Sequence, residues 1–119
     1  MSELVWIHRT NANELGISQT VDGTGRGSFF LVPVEARKIF FPERDFSVNP
    51  DISEQVQLHF IDQNETVTVS YSKPNSKTEH RLSLSGLTRF IGEDKQISPN
   101  KIICFYRKYN IIHFFNHLI

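Results

Sequence analysis

Period-two alternation of apolar and polar residues dominates the second half of this chain. VQLHF (56–60) sets Val56, Leu58 and Phe60 on one face, and TVTVSY (66–71) repeats the pattern with Val67, Val69 and Tyr71 after the polar break IDQNE. Such alternation marks a half-buried strand, and two runs across a short polar turn predict a β-hairpin. HRLSLSGL (80–87) alternates again, with Leu82 and Leu84 on one face and Arg81, Ser83 and Ser85 on the other. KIICFYR (101–107) and NIIHFFNHLI (110–119) predict two final strands joined near Tyr109–Asn110. The stretch GEDKQISPN (92–100) reads as a polar loop.

The first half is more broken. LVWIHR (4–9) predicts a strand from its aliphatic and aromatic content. FFLVP (29–33) is short and wholly apolar, which predicts a strand buried on both faces. Pro33 suits the first turn of a helix, VEARKIFF supplies about two turns, and Pro42 stops it. PERDFSVNPD (42–51) is a turn-rich link. Residues 10–28 form a long polar connection with Gly16, Gly23, Gly25 and Gly27, a length that usually has a job in a compact domain. The whole reads as a mainly β (α+β) single domain, residues 1–119, with six or seven mostly antiparallel strands in a small barrel or sandwich and one convincing helix.

Composition narrows the class. At 119 residues with 39% hydrophobic content and ten Phe, the chain can bury one core. No apolar run approaches the roughly 20 residues that span a membrane, and MSELVWIHR has no secretory apolar stretch. The one cysteine, Cys104, sits in IICFY and is expected as a buried thiol, so a reducing, cytoplasmic setting is expected. Net charge is zero but unevenly spread: residues 43–65 hold six acidic residues against one basic, and residues 66–119 hold eight basic against three acidic. A local positive field acts on anions within a Debye length of about 10 Å even on a neutral molecule.

Catalytic and metal patterns are thin. Pro50-Asp51 and Glu93-Asp94-Lys95 spell a nuclease-like PD…ExK, but the second element falls in a Gly-led loop rather than on a strand beside the first. Of the five histidines (His8, His59, His80, His113 and His117), His113 and His117 alone are close in sequence. On a strand they would stand about 13 Å apart, too far for one ion; a helical tail would let them converge. No metal site, cofactor or catalytic residue is therefore assigned. Two polar segments remain, 20–28 and 72–89. Arg26 lies between glycines in the first; Lys73, Asn75, Ser76, Lys77, Thr78 and Arg81 lie in the second. Arg and Asn suit base edges in the major groove, while Lys, Ser and Thr suit phosphates. Composition alone leaves them as either solvated loops or DNA-gripping arms. A different class, a small β-barrel binding protein or carbohydrate through Trp6, Tyr106 and Tyr109, stays open at this point.

VWIHRTNANELG, then GTGRGSFFLVP, ARKIFFP and a later NP resemble the effector-DNA-binding N-terminal domain of the EcoRII restriction endonuclease. KTEHRLSLSGLTRFIG resembles that domain's second basic arm. The motifs keep the family order over roughly residues 4 to 108. The resemblance implies an open pseudobarrel of about seven mostly antiparallel strands with one or two short helices, related to the plant B-three domains, in which two arms clamp a DNA duplex from its major-groove side. Carried over residue by residue, Arg9 matches the basic strand end. Thr24, Gly25, Arg26, Gly27 and Ser28 match the first arm, and Lys77, Glu79, His80, Arg81 and Arg89 fall in the second. Three extra residues precede Thr88-Arg89, and Phe90 stands where the family has Trp, so no target sequence transfers. The implied partner is double-stranded DNA, with no membrane; the implied setting is restriction–modification, the chain being an excised or free-standing recognition domain with a nuclease domain fused or separate.

Overall fold

Seven strands in one mixed sheet carry the described chain: β1 Val5–Arg9, β2 Phe29–Val32, β3 Ile52–Phe60, β4 Glu65–Lys73, β5 His80–Ser83, β6 Ile102–Lys108 and β7 Ile111–His117. The computed structural model describes residues 4–16, 29–46, 51–73 and 78–117. The strand order is β1-β6-β7-β3-β4-β5-β2. Five of the six strand pairings are antiparallel, and β3 pairs β7 in parallel. Among the described strands β1 and β2 each have one neighbour, and the sheet curls into a half-barrel that stays open along the seam between them. Across that seam the rings of Trp6 and Phe30 lie 6.4 Å apart, centroid to centroid. The expected mainly β, open and mostly antiparallel architecture is the observed one.

Register lines up the aromatic side chains on the concave face. Trp6 pairs with Phe105, Phe105 with Phe114, and Phe114 with Phe60. Their rings follow one another at 4.9, 5.7 and 4.4 Å, and Phe90 closes the row edge-on to Phe60 at 4.8 Å. Each aromatic pair adds about 0.5–1.5 kcal/mol beyond the area it buries. This row explains why Phe-rich strands from both halves of the chain specify a single core: a one-residue slip would turn every ring outward.

The helical segment is a 3-10 turn, Val34–Ala36, running into α1, Arg37–Phe40. Pro33 precedes it in extended geometry, so the chain enters the turn with φ already set. Ile39 and Phe40 are buried, and the guanidinium of Arg107 reaches from β6 to donate to their carbonyls at 2.6 and 2.9 Å. Those are carbonyls a helix end leaves without partners.

Three expectations need correction. β2 is not buried on both faces: Phe30 and Val32 point inward, while Leu31 is half exposed. On its outer side the Arg81 guanidinium covers the Phe29 ring, while Leu31 faces outward on a strand at the edge of the sheet. HRLSLSGL is a strand only to Ser83; from Ser85 to Phe90 it winds as a 3-10 helix that buries Leu87 and Phe90. Gly86 lets that helix approach β4, because a Cβ there would lie 2.3 Å from the Thr68 carbonyl oxygen. Finally, β4 runs through Lys73, two residues past the expected strand end, so this lysine belongs to a strand and not to a loop.

Candidate nucleic-acid interface

The polar connection ending at residue 28 leads into β2 at Phe29, and the one leaving Lys73 leads into β5 at His80. β2 and β5 are antiparallel, with Phe29 opposite Ser83 and Val32 opposite His80. The two connections therefore reach the same strand pair at opposite ends, about 10 Å apart by strand rise. Thr24, Gly25, Arg26, Gly27 and Ser28 of the first, and Asn75, Ser76 and Lys77 of the second, lie outside the described residues.

Between those ends the outer face of the pair carries Phe29, Leu31, Arg81 and Ser83, since their neighbours Phe30, Val32, His80 and Leu82 face the core. The Arg81 guanidinium lies over the Phe29 ring, 4.5 Å from its centroid. Its Nε donates to Glu79 Oε1 at 3.1 Å, and Nη2 closes an ion pair with the same oxygen. Both side chains are about one-third exposed. Arg81 is thus extended across the sheet surface with its fork held by one carboxylate and one ring.

Lys73 and His80 are not on that surface. Lys73 Nζ is buried and donates to Asp51 Oδ1 at 3.1 Å. His80 is 1% exposed, with Nδ1 2.8 Å from the Tyr71 hydroxyl and the Phe46 ring packed at 5.5 Å. Its Nε2 is buried without a hydrogen-bond partner. Burial, reinforced by the positive charges of Arg37 and Lys73, holds the His80 imidazole down at about 4. Burial also pushes the Tyr71 phenol up, partly countered by Arg37. The two residues form the inner floor beneath the start of β5.

Arg37 is the participant that sequence reasoning passed over, because it reads as one more helix-surface cation. Its Nε donates to the Val32 carbonyl at 3.3 Å and its Nη2 to the carbonyl of exposed Thr78 at 3.4 Å. It fastens the end of β2 to the start of β5.

The remaining matched cations lie elsewhere. Arg89, on the 3-10 helix, pairs with Glu65 at the far end of β4. Glu65 stands seven residues, or about 24 Å, along that strand from Ser72, which neighbours Arg81. Arg9 closes β1, where its Nη1 donates to Asn100 Oδ1 at 3.1 Å. The Ala-Asn-acid-x-Gly motif that follows is a locked turn. Glu14 N–H donates to Asn11 Oδ1 at 2.8 Å and Asn11 N–H to Glu14 Oε2 at 2.9 Å, while His8 Nε2 reaches the same carboxylate. Gly16 ends it at φ 75°, a conformation that favours glycine.

Two competing readings change shape. Trp6 is buried in the aromatic row, which removes it as an exposed anchor for a protein or carbohydrate; Tyr109 is 86% exposed and Tyr106 is half-buried against His113. For the nuclease pattern, Asp51 is held by Lys73, and Glu93 and Lys95 are exposed on a turn. No group of three or more His, Cys, Asp or Glu among the described residues is arranged to hold a metal. No described helix is long and apolar enough to cross a membrane. No protein-family model, no curated protein and no solved structure matches this chain.

Proposed function

We propose that this chain reads a short sequence in double-stranded DNA without cutting it, as a recognition domain of the EcoRII N-terminal kind implied by its motif order, acting alone or beside a nuclease domain. The observation that carries the reading is the Arg81 fork, lying on the outer face of a strand pair that two polar connections reach from opposite ends. An arginine fork that binds both O6 and N7 of guanine is the commonest specific contact in the major groove. Stacking on Phe29 limits the rotamer freedom Arg81 would lose on binding. Glu79, once its partner turns to a base, is free to accept from a cytosine amino group. Arg26 and Lys77 supply cations on the two connections for a second base contact and for phosphates.

Selection from a randomised duplex pool at low salt tests this. The expected result is one enriched motif, bound with an affinity that falls steeply with salt as phosphate contacts release counterions. Arg81→Ala and Arg26→Ala should each cost about 1–3 kcal/mol on the selected site and relax one position of the motif. Arg81→Lys should not restore it, because an ammonium lacks the planar fork. A pool that enriches no motif, or binding indifferent to salt, refutes the proposal.

A further inference from the structure

On the outer face, two strands away from β5, the short parallel pairing of β3 with β7 sets His59 directly opposite His113. Their rings stand 5.4 Å apart, centroid to centroid, at 88°. Both line a surface cavity of about 310 Å³ with Gln57, Thr66, Asn110 and Ile111. His113 Nδ1 is buried and has no hydrogen-bond partner.

We propose that His59 and His113 are the two protein imidazoles of a site for a zinc-like divalent transition-metal ion. The spacing is the first argument. Zn–N bonds run about 2.0–2.1 Å, so two imidazoles at a tetrahedral angle around one ion have centroids about 5.2 Å apart. The pair already stands within a few tenths of an ångström of that separation. Orientation is the second. The Tyr106 ring stacks on His113 at 5.1 Å and 21°, and Thr66 Oγ1 lies 3.5 Å from His59 Nδ1, so each imidazole is flanked on the side away from the other. Such flanking contacts fix the rings that ligate a metal.

The surrounding donors set the selectivity. Gln57, Asn110 and Thr66, each carrying a side-chain oxygen, line the cavity beside the two histidines, and water can complete the coordination. No carboxylate among the described residues lines it. Magnesium and calcium depend on carboxylate oxygens and gain little here, whereas imidazole suits zinc, copper and nickel. The site stands apart from the Arg81 surface and does not rest on the DNA-reading proposal.

Zinc chloride titrated into the tag-free full chain, followed by calorimetry and by the imidazole resonances in NMR spectra, is the test. Binding of one zinc per chain is expected, with the His59 and His113 resonances moving and magnesium leaving them still. His59→Gln and His113→Gln should each weaken binding at least tenfold, and His8→Gln, at the Glu14 pair, should leave it within twofold. The wild-type resonances decide the question independently of how well any variant folds. No binding up to millimolar zinc, a shift confined to other histidines, or undiminished binding by the His59 variant overturns the proposal.

Discussion

Acidification is expected to expose the cost of keeping His80 neutral. The buried imidazole titrates at about 4 in the folded protein, against 6.5 when exposed in the unfolded chain. Above pH 6.5 both states are neutral there and the residue adds no pH dependence. Between pH 6.5 and 4 the unfolded chain takes up a proton that the folded chain refuses, so stability falls with pH; below 4 both are charged and the loss levels off. At about 1.4 kcal/mol per pH unit, the loss assigned to His80 is about 2 kcal/mol at pH 5 and about 3 kcal/mol by pH 4. The structural cause is first burial, which leaves Nε2 without a partner, and then the positive charges of Arg37 and Lys73, which oppose a further one. Urea unfolding followed by fluorescence of the buried Trp6 gives the free energy at each pH. Carboxylate protonation weakens the protein too, so the measured quantity is the difference between wild type and His80→Gln. The variant should be less stable at pH 7, because Tyr71 loses its partner, yet should lose about 2 kcal/mol less between pH 7 and 5. Parallel stability–pH curves for the two proteins, or an NMR titration placing His80 near 6.5, refute the reasoning.

Three further substitutions, one of them a control, probe the frame that holds the proposed surface. Arg107→Met should cost about 2–3 kcal/mol, because it leaves the Ile39 and Phe40 carbonyls without the donors that cap them, and a thermal melt should show the midpoint falling by roughly 10 °C. Gly86→Ala should destabilise by about 1–3 kcal/mol, since its Cβ meets a backbone oxygen that cannot yield; Gly92→Ala, whose Cβ meets only the flexible Lys95 side chain, should stay within about 0.5 kcal/mol in the same urea assay.

Much of the fold was legible because alternation survives wherever one sheet face is buried. The β3–β4 and β6–β7 hairpins fall where Val56, Leu58, Val67 and Val69, and then the C-terminal Phe residues, predict them. β2 misled for a physical reason: Phe29 and Leu31 are apolar although they face outward, and local sequence does not say that a strand lies at the end of a sheet. Leu84 keeps the alternation going past the strand because a 3-10 helix also needs an apolar face. For the candidate surface, Arg81 and Glu79 were legible from their motif. Arg37 was not, since its role depends on two backbone carbonyls that only the fold brings to it. His59 and His113 lie 54 positions apart, and nothing short of the parallel register of β3 and β7 would pair them. His80 sits in a polar stretch but is buried, because its strand alternates and position 80 takes the inward phase.

The strand order has a consequence for synthesis. Among the described strands β1 has no partner until β6 is made, and β3 meets β7, the last of them, through three register pairs. Some 97 residues separate Val5 from Ile102. At translation rates of about 5–20 residues per second, the first strand waits roughly 5–20 s with both edges unsatisfied. Through that interval VWIHR is an apolar strand template in the open, and the growing chain depends on the β6–β7 hairpin both to close the aromatic row and to satisfy one of the two edges of β1.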